Sequence, residues 1–172
     1  MKLMFWNKKN KKGIDFKIPG FGDRHIQALL ADYDGTLSNR NQVPDDIKAR
    51  LVRLAEIIDI HILTGDRNVK AEDCLGNLPV NIHILSEKDQ DVQKRDYLQD
   101  FHPSEVAVFG NGNNDRLLLQ AVKTAGGLAI VVDNGEACSV DALVNSHLLV
   151  RSATEALDLL LDPQHCSTTL RY

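Results

Sequence analysis

No apolar run in this chain approaches the roughly 20 residues needed to cross a bilayer. The start, Met1 to Trp6, is too short for a signal-peptide core and runs into lysines instead of a cleavage site. Both absences point to the cytoplasm. Cysteine is scarce: Cys74, Cys138 and Cys166 are far apart, odd in number and contain no Cys-x-x-Cys pair. That argues against a disulfide framework, a zinc site or a catalytic thiol, and for reduced, partly buried side chains. Positive charge is outnumbered over most of the chain. Residues 1–12 hold five lysines (Lys2, Lys8, Lys9, Lys11, Lys12) and no acid, so the remainder carries 15 basic against 24 acidic residues. An acidic body excludes nucleic acid as the expected partner. The basic tail, with Phe5 and Trp6 in it, suits either a solvated terminus or contact with an acidic or lipid surface. Internal repeats and low-complexity linkers are absent after residue 13.

What is present is an ordinary globular composition, 43% hydrophobic and 26% charged over 172 residues, enough for one domain with a real core. The expected division is a tail over 1–13 and a single domain over 14–172. Ile14 to Ile18 alternates like a half-exposed strand, Pro19 to Asp23 supplies a turn, and His25 to Ala31 resumes an extended pattern, which predicts a hairpin. Helices are predicted from Pro44 through Ile58, over about Val69 to Cys74, Lys88 to Phe101, Asp115 to Val122, Gly135 to Leu143 and Thr154 to Leu161. Strands are predicted at Ile58 to Leu63, Val80 to Leu85, Val106 to Phe109, Leu128 to Val132 and His147 to Val150. Strands alternating with helices of this length predict an α/β fold: a doubly wound, Rossmann-like parallel sheet with the hairpin appended.

The most informative stretch is Leu29-Leu30-Ala31-Asp32-Tyr33-Asp34-Gly35-Thr36, an apolar strand ending in two carboxylates, a glycine and a hydroxyl. Carboxylates one residue apart repel each other and resist burial, so a compensating cation is expected. Mg²⁺, with its preference for oxygen ligands, suits the end of a strand. Asp32 could then attack phosphorus while Asp34 handles protons. The competing reading is a polar turn built on Asp-Gly. Two further strands end in polar clusters, Thr64-Gly65-Asp66 and Gly110-Asn111-Gly112-Asn113-Asn114-Asp115. In an open α/β sheet such ends converge on the ligand crevice. Thr64 and Gly65 offer a hydroxyl and an unobstructed N–H to phosphate oxygens, or simply start a helix with Thr64 or Asp66 as cap. Asn111, Asn114 and Asp115 bring oxygens to the crevice, and Asp115 also suits the N-cap of the next helix. The cluster is neither a Walker A loop nor a dinucleotide fingerprint. Lys94 could meet a phosphate as a point charge, with Lys88 and Arg95 as competitors on the same helix. The six histidines are scattered and read as packing or surface residues.

Taken together, Asp-Tyr-Asp-Gly-Thr, Thr64, a lysine and Gly-Asn-Gly-Asn-Asn-Asp resemble, in that order, the haloacid dehalogenase superfamily of aspartyl-phosphate hydrolases. More narrowly, Ile60 to Asp66 resembles the Leu-Thr-Gly-Asp loop of P-type ATPases, and Gly110 to Asp115 their Gly-Asp-Gly-x-Asn-Asp hinge. Ile14 to Gly22, Asn77-Leu78-Pro79-Val80 and Glu155 to Leu161 are similar to the soluble relatives of those pumps, so the resemblance covers about residues 14–172. It implies a Mg²⁺-dependent phosphatase with Asp32 as nucleophile and Asp34 as acid/base, Thr64, Gly65 and Lys94 on the phosphate, and Lys94 preferred over Lys88. It implies a metal held by Asp32, Asp34 (through its backbone carbonyl), Asn111 and Asp115. Gly35, Thr36, Asp66, Gly110, Gly112 and Asn114 would support them. The chain departs from the pattern twice. Asp34 replaces the Thr of the pumps and the Asn of many soluble relatives, which favours fast hydrolysis of the phospho-aspartate. Asn111 replaces the usual metal-binding Asp, which weakens the metal site and gives Asp115 a larger share.

The intervals from Thr36 to Thr64 and from Asp66 to Lys94 each hold 27 residues, too few for a folded cap domain. An open site suits a bulky phosphorylated substrate, or a small one enclosed by a second subunit of a homo-oligomer. Two other readings compete: a non-catalytic regulatory or binding module keeping the fold and phosphate pocket, and a phospho-acceptor switch, which Asp34 disfavours. Neither the substrate nor the oligomeric state is legible here.

Overall fold

A computed structural model describes residues 11–40, 42–65 and 70–172. Most of the predicted tail (residues 1–10), Asp66 and the predicted helix start at Val69 lie outside the described residues.

Three buried strands form the centre because their sequences are apolar on both faces, as a sheet covered on both sides requires. β3 (Ala28–Asp32), β6 (Val106–Gly110) and β7 (Leu128–Val132) are buried at every position. With β4 (Asp59–Thr64), β5 (Asn81–Ile84) and β8 (Leu148–Val150) they make a six-stranded sheet in the order β5-β4-β3-β6-β7-β8, parallel at every pairing. Side chains alternate between two apolar layers. Leu29, Ala31, Ile60, Ile62, Phe109, Ile130 and Val132 share one cluster with Leu51 and Leu54 of α1 (Asp45–Ala55), Leu157 and Leu160 of α6 (Ala153–Leu161), and Cys166 of α7 (Pro163–Leu170). Leu30, Leu63, Val108, Ala129 and Val131 face the other way. They pack with Leu118, Leu119 and Val122 of α4 (Arg116–Ala125) and Ala142 of α5 (Val140–Val144). Two short helices complete the chain, α2 (Lys70–Leu75) and α3 (Gln90–Tyr97).

The predicted hairpin forms, but as its own unit. β1 (Ile14–Phe16) pairs antiparallel with β2 (Arg24–Ile26) in a separate two-stranded sheet, and the exposed Gln27 separates β2 from β3. The predicted helix over 88–101 is shorter because Asp89 adopts a left-handed conformation (φ 53°) ahead of α3, and a 3₁₀ turn, Leu98–Asp100, ends it. The helix predicted from Gly135 starts only at Val140, capped by Ser139, because Asn134 and Ala137 hold positive φ angles of 47° and 70°. Helix α7 was not expected. Its apolar pattern is sparse, yet Asp162 Oδ1 accepts from the Gln164 N–H at 3.2 Å and Pro163 sits at the first helical position, both recognised start signals. Lys11, assigned to the tail, is tied to the body: its Nζ lies 2.9 Å from Asp59 Oδ1 and 2.8 Å from the Ile58 carbonyl oxygen. No helix of the described residues is long and apolar enough to cross a membrane. Among the described residues only α1 and β4 lie between Thr36 and the end of β4, and only α2 and β5 between residue 70 and α3, which leaves no folded cap there.

Candidate active site

Parallel register brings the three polar loops together. Asp32 of β3 is level with Leu63 of β4, and Ala31 with Phe109 of β6, so the loops after Asp32, Thr64 and Gly110 leave the sheet side by side. After Asp32 the chain wraps around the Tyr33 carbonyl, which accepts from the N–H groups of Thr36, Leu37 and Ser38 at 3.3, 3.0 and 2.9 Å. Gly35, at φ 71°, makes that turn possible, and a side chain there would strike the Asn111 amide. The result leaves Asp32 buried at the root of the loop and Asp34 exposed at its tip.

Asp32 is one member of a buried triad. Lys94, fully enclosed, places its ammonium 2.5 Å from Asp32 Oδ1 and 2.6 Å from Asp115 Oδ1. Thr36 Oγ1 donates to Asp32 Oδ2 at 3.1 Å and lies 3.3 Å from Asn111 Oδ1. Asp115 Oδ2 accepts from the N–H groups of Asn111 and Gly112, both at 3.0 Å, which shapes the last loop. Gly110 is needed where it is, because a Cβ there would lie 2.5 Å from the Asp115 Cγ. Desolvation raises the Asp32 carboxyl above the usual carboxylate range, and Asp115 pushes the same way; Lys94 and the Thr36 hydroxyl oppose them. Burial alone would lower the Lys94 ammonium, but Asp115 and Asp32 outweigh it and the net direction is up. The lysine is therefore a fixed cation between two carboxyl groups.

Above the triad opens a crevice of about 310 Å³ lined by Asp32, Asp34, Gly65, Asn111 and Asn114, with Lys70 and Gln90. Thr64 is buried at the end of β4. Of the predicted set, Asp115 is buried with both its oxygens engaged by Lys94 and the loop amides and does not line the crevice, whereas Asp32, Asp34, Asn111 and Asn114 do. Lys70 and Gln90 were not predicted. Gln90 was findable, since it precedes Lys94 by four residues and so shares its helix face. Its side chain accepts from Asn114 Nδ2 at 3.3 Å and occupies the space a Cβ on Gly65 would need.

Among the described residues no three His, Cys, Asp or Glu side chains gather into a metal cage. The crevice instead presents a few hard oxygens: the Asp32 carboxylate, the Asn111 amide and the Asp34 segment. That donor set fits Mg²⁺, which keeps several waters and takes one or two carboxylates together with phosphate oxygens. Zinc, whose sites are built mainly on His and Cys, suits this all-oxygen set less well.

No protein-family model matches the sequence, and no curated protein is matched. Solved structures do resemble the chain. The cobalt-bound deoxy-D-mannose-octulosonate 8-phosphate phosphatase of Haemophilus influenzae is 15% identical with a TM-score of 0.64, over 86% of this chain and 94% of that one. A 3-deoxy-D-manno-octulosonate 8-phosphate phosphatase of Moraxella catarrhalis, in complex with magnesium, phosphate and KDO, is 18% identical with a TM-score of 0.60, over 84% and 90%. A Legionella pneumophila hydrolase assigned to subfamily III A of the HAD superfamily is 21% identical with a TM-score of 0.62, over 83% and 86%. At such identities the likeness is one of fold, and the fold of this chain is that of the HAD hydrolases.

Proposed function

We propose that this protein is a Mg²⁺-dependent phosphatase that hydrolyses phosphate monoesters through an aspartyl-phosphate on Asp32. The observation that carries the reading is the buried triad: a carboxylate at the floor of an open crevice, held 2.5 Å from a fixed ammonium that Asp115 secures from behind. The bound ligands named for the Moraxella enzyme, magnesium and phosphate, support the same chemistry in this fold. The finer kinship with soluble relatives of P-type ATPases rests on the Leu63-Thr64-Gly65 and Gly110–Asp115 loops.

In the first step an Asp32 oxygen forms a bond to phosphorus as the bond to the ester oxygen breaks, and Asp34 gives its proton to the departing alcohol. In the second step Asp34 takes a proton from water, the water oxygen attacks phosphorus, and Asp32 leaves as a carboxylate with inorganic phosphate released. Lys94 and the Thr64–Gly65 corner meet the phosphate oxygens. Asp32, Asn111 and the Asp34 backbone carbonyl would hold Mg²⁺, which when bound offsets the charge between carboxylate and phosphate dianion. Asp115 positions Lys94 and the last loop. Thr36 orients Asp32. The wider reading of the chain as a cytoplasmic enzyme acting on a phosphorylated metabolite or macromolecule, without nucleic acid, goes with this chemistry.

The test is steady-state hydrolysis of an aryl phosphate with and without Mg²⁺, alongside Asp32→Asn. Metal-dependent turnover lost in the variant is the expected result. The one feature favouring a non-catalytic phosphate-binding module is Asn111, a neutral ligand where a carboxylate would bind metal more tightly. Phosphate binding without turnover at saturating Mg²⁺ would select that alternative.

A further inference from the structure

Gln90 belongs to none of the strand-end clusters, yet it lines the crevice. The left-handed backbone at Asp89 (φ 53°) starts α3 abruptly, so Gln90 is its first residue and Lys94 follows one turn on, along the same face. Lys94 reaches the buried triad, and the half-buried Gln90 reaches the space over it. Its amide is oriented. Oε1 accepts from Asn114 Nδ2 at 3.3 Å, which assigns the other end of the amide as the nitrogen. That Nε2 rests against Gly65, in the space a side chain there would fill. Gly65 lines the crevice and not the neighbouring groove of about 460 Å³ that Gln90 and Asn114 also border, so the Nε2 end is on the crevice side. Among the described residues Nε2 has no hydrogen-bond partner, yet it is not cut off from solvent.

A phosphate monoester brings three terminal oxygens that accept several hydrogen bonds, and it gains most from donors already in place. Donors here are few. Lys94 has three, and Asp32 and Asp115 hold two of them. The Gly65 N–H adds one more. We propose that Gln90 is a substrate-binding residue, whose Nε2 donates to a terminal phosphoryl oxygen at the Gly65 corner. The assignment rests on the phosphatase reading of the crevice and adds a contact that neither the strand-end loops nor the triad provides. A Gln90 that is only a strut between Gly65 and Asn114 would use its Oε1 and its packing, and would leave the Nε2 hydrogens without a role.

Two substitutions separate these roles. Gln90→Glu keeps the size of the side chain and the oxygen that Asn114 bonds, and a carboxylate in the first turn of a helix is favourable, so its urea midpoint should not fall. It replaces the donor with an oxygen that repels phosphate. Gln90→Leu removes the donor without adding charge. Inorganic phosphate, titrated calorimetrically at saturating Mg²⁺, should bind Gln90→Leu about tenfold more weakly than wild type, and Gln90→Glu more weakly still. The kcat/KM for an aryl phosphate should fall in the same order. Wild-type phosphate affinity in Gln90→Glu overturns the proposal. So does a loss in Gln90→Leu that Gln90→Glu restores, which is the behaviour of a strut. Phosphate affinity is read without turnover, so the phosphatase reading fails separately, through metal-dependent turnover that survives Asp32→Asn.

Discussion

Asp32 and Asp34 stand two residues apart and occupy opposite environments, one buried at a strand end and the other exposed at a loop tip. That difference assigns them different work and makes it separable. Asp32→Asn should abolish turnover while leaving the circular dichroism spectrum unchanged; retention of a substantial fraction of wild-type activity, with contaminating phosphatase excluded, contradicts the nucleophile role. Asp34→Asn removes the proton carrier, a loss of about 10²–10⁴-fold. With an aryl phosphate, whose leaving group needs little protonation, the second step suffers more, so phosphate should accumulate on Asp32. Intact-protein mass spectrometry of an acid-quenched reaction, with removal by hydroxylamine, reads this out. Lys94→Met tests the triad from the stability side. It leaves two buried carboxylates facing each other without a cation, at a cost of about 3–5 kcal/mol in urea unfolding. Asp32 and Asp34 were legible as a pair in the sequence. The engagement of Asp115 was not, because which way a carboxylate turns depends on a lysine 21 residues away.

At the scale of elements, strand identity was easier to read than helix extent. β7 occupies the predicted Leu128–Val132, since five consecutive apolar residues between a glycine pair and an aspartate have few other fates. Helix boundaries depended on single residues whose backbone conformation composition does not announce, such as Asp89 and Ala137. Where caps are explicit they set the boundary: Ser152 accepts from the Glu155 N–H at 3.1 Å, and Glu155 in turn accepts from the Arg151 N–H at 2.9 Å. Ser152→Ala should therefore destabilise the protein by about 1 kcal/mol. A chemical denaturation midpoint that does not move would show that α6 is held by its buried Ala156, Leu157 and Leu160 alone.

For the molecule as a whole, two partly buried histidines make stability depend on pH. His61, beside the Tyr97 hydroxyl at 2.9 Å, and His147, whose Nδ1 accepts from the Ala129 N–H at 3.1 Å, are both lowered from the usual 6.5 to about 4, chiefly by burial. Above 6.5 both are neutral folded and unfolded, and they have no effect. As pH falls from 6.5 towards 4 the unfolded chain takes up protons the native state refuses, so stability falls. The slope is at most about 1.4 kcal/mol per pH unit for each ring, and less for the half-exposed His147. Urea midpoints measured across that range, compared with His61→Gln, check the sign and the source. The uncapped crevice makes a second demand: water must be excluded from the reacting phosphate by something outside the chain's own insertions. Light scattering should show an oligomer, or turnover should favour a macromolecular phosphate. A strict monomer that handles small esters efficiently contradicts both.

The sequence by itself determined the alternation of strands and helices, the absence of a cap, and which three strand ends carry polar chemistry. Each of these is a local property of pattern and length. The resemblance already preferred Lys94 over Lys88, and only the tertiary structure decided that Lys94 is enclosed between two carboxyl groups. It alone decided that Asp115 turns inward, that Gln90 closes one wall of the crevice, and that the hairpin stands apart from the main sheet. Those outcomes depend on parallel register and on which helix face meets the core, and both are set by contacts between residues distant along the chain.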